Sequence, residues 1–406
     1  MAFRIGRTLP PATAPIYLKD IVSGIAGIIR GGKTIEKFEE ELKAYYHVSH
    51  CFTLSSGKTS LTVILQALKE MSPGRDEVLI PAFTCYSVPS AIVRAGLKVR
   101  LCDLDAKTFD FDYEQLSDII STKRDRLLCV VPVHLFGFPA DLERIREIIA
   151  DESIFIVEDA AQAMGGECNG KKLGSLGDAG FFSLGRGKAL STVEGGIILT
   201  NRRDIAEHIG RVTDKIPAYG ALEIFELFLY AIALLMLLRP SLFWIPKALP
   251  FLRLGETIYD PDFKMRKLSP FQAGLATGWV RKLHEFRRFR ARNVHDLLDR
   301  LETNGLSPAW GNRSPLPCPI RLPLKVQDVK KREYILNTSE RMGLGIVGTY
   351  PDSVDSIREL NLDSVGSQFP NAKEFAKKLI TLPVHPYITR KDKDKITDLL
   401  AQAKHI

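Results

Sequence analysis

Short apolar runs alternate with stretches of helical period from about residue 51 to residue 200. The runs at 51–54, 77–80, 98–102, 127–131, 154–157, 180–183 and 196–199 have the length and the bounding turns of strands. Between them, residues 60–69, 88–95, 142–150 and 203–209 carry apolar positions at helical spacing. The alternation predicts an α/β domain on a mostly parallel central sheet. Ligands of such sheets bind outside the carboxyl ends of the strands. Five loops directly follow predicted strands, at 55–59, 83–87, 134–137, 159–162 and 183–188, and are expected to meet at one crevice.

The texture changes after about residue 270. Residues 272–301 read as one long helix whose basic side chains, among them Arg281, Lys282, Arg287, Arg288, Arg290 and Arg292, form a solvated face. A strand at 320–322 and helices at 328–342 and 391–404 complete a smaller α+β domain. The expected division is 1–220 for the large domain with its N-terminal arm, 221–255 for an apolar insertion, and 256–406 for the C-terminal domain.

The insertion fits neither domain. From Leu227 to Leu238 every residue is apolar, and Arg239-Pro240 then breaks the run. A spanning helix needs about 20 apolar residues, so this one is too short to cross. Two readings are open. Two short helices joined at a proline bend would lie in one leaflet, with Trp244, Lys247 and Arg253 at headgroup level. Alternatively, the segment is a helical hairpin buried between subunits. Either way its apolar surface calls for a cover.

At 406 residues the chain exceeds one ordinary core, so two domains are expected. A net charge of +8 favours anionic partners: nucleotides, sugar phosphates or an anionic membrane. No helix-turn-helix, zinc-finger or RNA-binding signature is present, so nucleic acid is not expected. The six cysteines are scattered without a Cys-x-x-Cys pair, which argues against a zinc site and a disulfide framework. Pro10, Pro11 and Pro15 stand where a signal peptide would have its apolar core. The expected setting is cytoplasmic, with peripheral contact on the inner face of the membrane.

The chemistry starts at Lys188, in a glycine-rich turn after the apolar run 180–183. A lysine among small residues can form an imine with an aldehyde cofactor. Asp159 ends a buried strand, where an unpaired carboxylate is costly. A protonated pyridine nitrogen would remove that cost. Together they point to pyridoxal 5'-phosphate (PLP) and amine chemistry. Gln162 would reach the ring's phenolic oxygen, and Ser183 would add a hydroxyl to the phosphate. Gly57, Lys58 and Thr59 open a helix whose free amides suit a phosphate. A nucleotide-triphosphate P-loop is excluded, because Phe52 stands where its first glycine belongs. His134 and Glu194 read as structural.

These segments, in this order, resemble the DegT/DnrJ/EryC1/StrS family of sugar aminotransferases, a branch of the fold-type I PLP enzymes. The resemblance is carried by 55–61, 76–81, 133–137, Glu158-Asp159-Ala160-Ala161-Gln162, Gly177-Asp178-Ala179, 182–188, Glu194-Gly195-Gly196 and 382–386. It implies Lys188 as Schiff-base lysine and general base, with Asp159 on the pyridine nitrogen and Gln162 on the phenolic oxygen. The phosphate would be held by Ser183 with the Lys58 and Thr59 backbone. It also implies a homodimer that moves an amino group from glutamate or glutamine to a keto-sugar, nucleotide-linked or lipid-linked, for a surface polysaccharide or glycolipid. Three departures stand out. Cys85 occupies the place of the ring-stacking aromatic, with Tyr86 one residue late; both are counted as cofactor-binding candidates. Met265-Arg266-Lys267 replaces an Asn-x-Arg element that reaches the partner subunit. Lys58 sits inside the family's glycine-threonine pair. The alternatives are a PLP-fold regulatory or scaffold protein that has lost catalysis, and a PLP lyase or desulfurase.

Overall fold

The computed structural model describes residues 4–249, 257–303, 318–362 and 369–405. A seven-stranded sheet forms its centre: β1 (His50–Leu54), β2 (Glu77–Pro81), β3 (Lys98–Cys102), β4 (Leu127–Val130), β5 (Phe155–Asp159), β8 (Ala179–Ser183) and β9 (Gly196–Thr200). A small ribbon, β6 (Glu167–Cys168) with β7 (Lys171–Lys172), intervenes. The strand order is β1-β9-β8-β5-β4-β2-β3. Pairs from β8 to β3 are parallel, and β9 runs antiparallel to both β8 and β1. Parallel neighbours need crossover helices, whereas the antiparallel step from β8 to β9 needs only a loop. That loop carries Lys188.

Every residue of β2, β4, β5 and β9 is buried. Helices cover both faces, so the strands read as continuous apolar runs. These helices are α1 (Leu18–Arg30), α2 (Gly32–Tyr46), α3 (Gly57–Met71), α4 (Ser87–Arg94), α5 (Tyr113–Lys123), α6 (Leu142–Ile149) and α7 (Arg203–Asp214). The side chains of Ser56, Asp112 and Asp141 cap α3, α5 and α6. The sequence pattern did not announce α1, α2 or α5.

The apolar insertion forms α8 (Ala221–Leu237), then bends through Arg239-Pro240 into α9 (Trp244–Lys247). Leu227, Ala231 and Leu234 pack on Ile16, Ile21, Phe271 and Leu275. Lys247 is not free for a headgroup role, because its ammonium pairs with Glu340. Arg253 lies outside the described residues. Among the described residues no helix is long and apolar enough to cross a membrane.

The expected continuous helix at 272–301 is two helices, α10 (Pro270–Leu275) and α11 (Trp279–Thr303). Gly278 divides them with a φ of +72°, a left-handed turn that glycine enters without strain. The basic face of α11 is also not wholly solvated. Lys282 is buried against Asp20 at 2.7 Å, and Arg290 is buried as well. The C-terminal part adds the antiparallel ribbon β10 (Arg321–Lys325) and β11 (Leu379–Pro383), with α12 (Val329–Met342), α13 (Pro370–Lys378) and α14 (Arg390–Gln402). One buried cluster runs from α3 and α4 to this ribbon, joining the two parts.

Candidate active site

Lys188 lies in the loop after β8, where its amide donates to the Gly185 carbonyl at 3.2 Å. Gly187 turns the chain with a φ of +78°. Burial pushes the lysine's pKa down, and the nearby Cys85 and Asp159 partly offset this. Asp159 ends β5 almost wholly buried, with one carboxylate oxygen accepting from the Ala161 amide at 3.0 Å. Burial raises its pKa, while Ala161, Lys188 and His134 pull it back. The expected pair therefore lies within electrostatic reach at the carboxyl ends of adjacent strands.

Glu158, beside Asp159, points to the other side of the sheet. It accepts from the Gly174 and Gly177 amides, both at 2.7 Å, and faces His134 Nε2 at 2.9 Å. The Ala140 amide donates to His134 Nδ1, so Nε2 carries the proton that Glu158 accepts. His134 is thus a buried strut. Its own amide bonds the Asp159 carbonyl at 3.0 Å and so holds the strand end that presents Asp159.

Gln162 donates through Nε2 to the hydroxyl of Tyr350 at 2.9 Å. Ser183 stands against the start of α3, where a Cβ on Gly57 would come within 2.9 Å of the serine Cβ. Only glycine leaves that gap open. Thr59 spends its amide on the Ser56 cap at 3.1 Å, and its hydroxyl contacts Ser55 and Ser56. The amides of Gly57 and Lys58 are left at the open end of the helix. The Lys58 side chain turns away, over the Phe263 ring at 4.3 Å.

Cys85 reaches the site, being close enough to act electrostatically on Lys188, Arg321 and Tyr350. The hydroxyl of Tyr86, expected among the cofactor-binding residues, is engaged elsewhere. It bonds the Asp352 carbonyl at 3.2 Å and Ser356 at 3.1 Å, tying α4 to the C-terminal part. Arg266 is engaged within its own chain, at 2.9 Å from Glu223 of α8. Tyr350 and Arg321 were not found from sequence. They carry no local motif and reach the site only through the C-terminal ribbon and the loop after α12.

The residues fit PLP. Thr84 Oγ1, Gln162 Oε1, Arg321 Nε and Thr349 Oγ1 are buried without partners among the described residues, which is costly unless a ligand supplies them. The bare Cα of Gly57 allows the start of α3 to approach Ser183 closely, as a phosphate site at a helix start requires, and Asp159 and Lys188 act on one another electrostatically. A cavity of about 1120 Å³ opens beside Gln162 and Ala189, lined in part by Arg146, Lys171, His284, Arg287 and Arg288.

The chain is similar to several known proteins. The chain is 36% identical over 175 residues to GDP-perosamine synthase of Caulobacter vibrioides, covering 43% of this chain and 46% of that one. It is 32% identical over 292 residues to L-glutamine:2-deoxy-scyllo-inosose aminotransferase of Streptoalloteichus tenebrarius, covering 70% and 60%. The chain spans about half the length of the curated relatives it matches. Helicobacter pylori PseC, an aminotransferase involved in the biosynthesis of pseudoaminic acid, has the same fold with a TM-score of 0.78 at 15% identity, over 98% of this chain and 99% of that one. Residues 20–217, which contain Lys188, Asp159, Gln162, Gly57 and Ser183, match the model of the DegT/DnrJ/EryC1/StrS aminotransferase family.

Proposed function

We propose that this protein is a PLP-dependent aminotransferase that moves an amino group from glutamate or glutamine to a keto-sugar. The observation that carries the reading is the meeting of Lys188, Asp159 and Gln162 beside the Gly57–Ser183 cradle. When bound, PLP supplies an electron sink for charge developing on the donor's α-carbon. Asp159 keeps the ring nitrogen protonated, because its buried carboxylate gains a counter-charge there. The Gly57 and Lys58 amides with Ser183 hold the phosphate. Gln162, braced by Tyr350, hydrogen-bonds the phenolic oxygen. Lys188, whose pKa is pushed down by burial, would take a proton from the donor's α-carbon and return it. The adjoining cavity is lined by Arg146, Arg287, Arg288 and Arg290 as well as Asp110, Asp141, Glu143 and Glu167, and its arginines would meet the phosphates of a nucleotide-linked acceptor.

Absorbance before and after glutamate tests this, with Lys188→Ala beside the wild type. The wild type should change spectrum with the donor, and the variant should not. A protein that takes up no cofactor even when PLP is supplied would exclude the enzyme.

We also propose peripheral docking on an anionic membrane. The support is an apolar face shared by α1 and α8. Leu18, Val22, Ile25 and Ile29 on α1, with Leu222, Phe225, Leu229 and Met236 on α8, are all exposed. Exposed Lys19, Arg30, Lys33 and Arg239 flank it in sequence. An apolar stripe flanked by cations resembles an interfacial helix, although exposed Glu226 lies among its α8 residues. The homodimer implied by the resemblance is proposed too, and sedimentation would test it.

A further inference from the structure

Arg290 lies on the inner face of α11 and is only 2% exposed. Its Nη1 donates to the Ala189 carbonyl at 3.4 Å, a long bond to the residue that follows Lys188. Among the described residues its Nε meets no acceptor, and no carboxylate pairs with the guanidinium. Lys282, earlier in the same helix, is as deeply buried but has Asp20 at 2.7 Å. Arg290 also lines the cavity of about 1120 Å³ that opens beside Gln162 and Ala189. The second buried cation of α11 is thus left without a counter-charge where a ligand would enter.

A buried guanidinium without a counter-charge is costly, and an anion entering the cavity relieves that cost. The other arginines of the lining stand nearer to solvent: Arg146 and Arg288 are exposed and Arg287 is half-buried. The acidic residues of the lining do not offset Arg290. Asp141, Glu143 and Glu167 are exposed, and the buried Asp110 is engaged by the Phe111 and Asp141 amides and the Tyr113 hydroxyl. An acceptor would bring its ketone carbon toward Lys188 and leave its phosphates toward solvent, where the outer arginines meet them. Arg290, held against residue 189, is left for a group on the sugar ring itself. The simplest anionic group a hexose ring carries is a carboxylate in place of the hydroxymethyl. A guanidinium fork matches that planar group with two parallel hydrogen bonds.

We propose that Arg290 recognises a carboxylate on the ring of the acceptor, so that the keto-sugar is a uronate and not a neutral sugar. This rests on the aminotransferase reading above and names the substrate class of that site.

The test titrates cofactor-loaded protein by calorimetry with glucuronate 1-phosphate and with glucose 1-phosphate. The two probes differ only in carboxylate against hydroxymethyl, and neither depends on which nucleotide the enzyme takes. The wild type should bind glucuronate 1-phosphate roughly tenfold or more tightly, as a charged hydrogen-bonded contact implies. Arg290→Met should erase that preference and leave the affinity for glucose 1-phosphate in place. Arg290→Lys, which keeps the charge but not the fork, should fall between. Arg290→Met should also withstand urea at least as well as the wild type, because it removes an unpaired buried charge. Equal binding of the two probes by the wild type, no binding of glucuronate 1-phosphate, or an equal loss for both probes in Arg290→Met, which would put the arginine on the phosphate, would overturn the proposal. A destabilised Arg290→Met that keeps the wild-type preference would make the arginine a brace for the Lys188 loop instead. A wild type that takes up no PLP or shows no spectral change with glutamate would sink the aminotransferase reading itself.

Discussion

The side-chain amide of Gln162 donates to the hydroxyl of Tyr350 at 2.9 Å, joining the loop after β5 to the loop after α12. The two residues are 188 positions apart in sequence. The contact makes the orientation of a cofactor-facing amide depend on the C-terminal part. Phe83 packs edge-on against the tyrosine ring with centroids 5.1 Å apart, so the ring is fixed independently of its hydroxyl.

Tyr350→Phe should therefore keep the packing and lose only the hydrogen bond. Gln162 would then have both polar ends unpaired in a buried place, at a cost of about 1–3 kcal/mol. Urea unfolding should show that loss, and PLP affinity should fall by roughly tenfold as the amide loses its brace. Full PLP affinity in the variant would mean that Gln162 is not held for the cofactor.

Gly57→Ala tests the phosphate cradle. The new methyl would meet the Ser183 Cβ at 2.9 Å, closer than real Cβ contacts allow. Neither side chain has a flexible end to yield, so the start of α3 must shift away from β8. Cofactor affinity should fall at least about tenfold, roughly 1.4 kcal/mol, while far-ultraviolet circular dichroism is retained. Wild-type affinity would place the phosphate elsewhere.

Much of this site was legible because its chemistry is local. Asp159 closes a strand buried on both faces, and Lys188 follows the next strand in a glycine-rich turn, so each announces itself within a few residues. What was missed depends on distant pairing. Tyr350 and Arg321 gain meaning only beside Gln162 and Lys188. Lys282 resembles any solvated base on a helix until Asp20 meets it. The first helix went unannounced for another reason. Its inner face holds Gly24 and Gly27, which let α10 approach until a Cβ on Gly27 would lie 2.4 Å from the Pro270 carbonyl. Its aliphatic residues Val22, Ile25 and Ile29 face outward. A pattern rule that sends apolar positions inward inverts such a helix.

His385 gives a pH dependence of stability. It is fully buried, and desolvation lowers its pKa from 6.5 to about 4; the Pro10 carbonyl and Asp392 oppose the shift and Arg7 adds to it. Its Nε2 faces the Pro10 carbonyl at 2.8 Å, while Nδ1 accepts from the Tyr387 amide at 3.2 Å, as a neutral ring requires. The unfolded chain binds the proton more readily than the folded one. The stability from this residue is therefore complete above about pH 6.5 and lost as pH falls toward 4, by about 3 kcal/mol in all. Guanidinium unfolding at pH 7.5 and 4.5 should show a larger loss in the wild type than in His385→Gln. Equal losses would assign the acid sensitivity to other groups, such as the Arg7–Asp392 pair.

The α1–α8 face yields the last prediction. Ile29 on α1 is 83% exposed and Phe225 on α8 is 54% exposed, values unusual for such large apolar side chains. Both helices are anchored by their opposite faces, α1 on α10 and α8 on Phe271 and Leu275. Charging the outer face should therefore leave the fold intact. The wild type should float with vesicles rich in phosphatidylglycerol and stay behind with neutral phosphatidylcholine. Ile29→Asp with Phe225→Asp should abolish flotation, because each charge would have to be buried at the headgroup boundary. High salt should weaken wild-type binding, since the flanking cations act through screened attraction. If the wild type ignores anionic vesicles and the double variant instead changes sedimentation from dimer to monomer, the face belongs to a second copy of the chain and membrane docking is wrong.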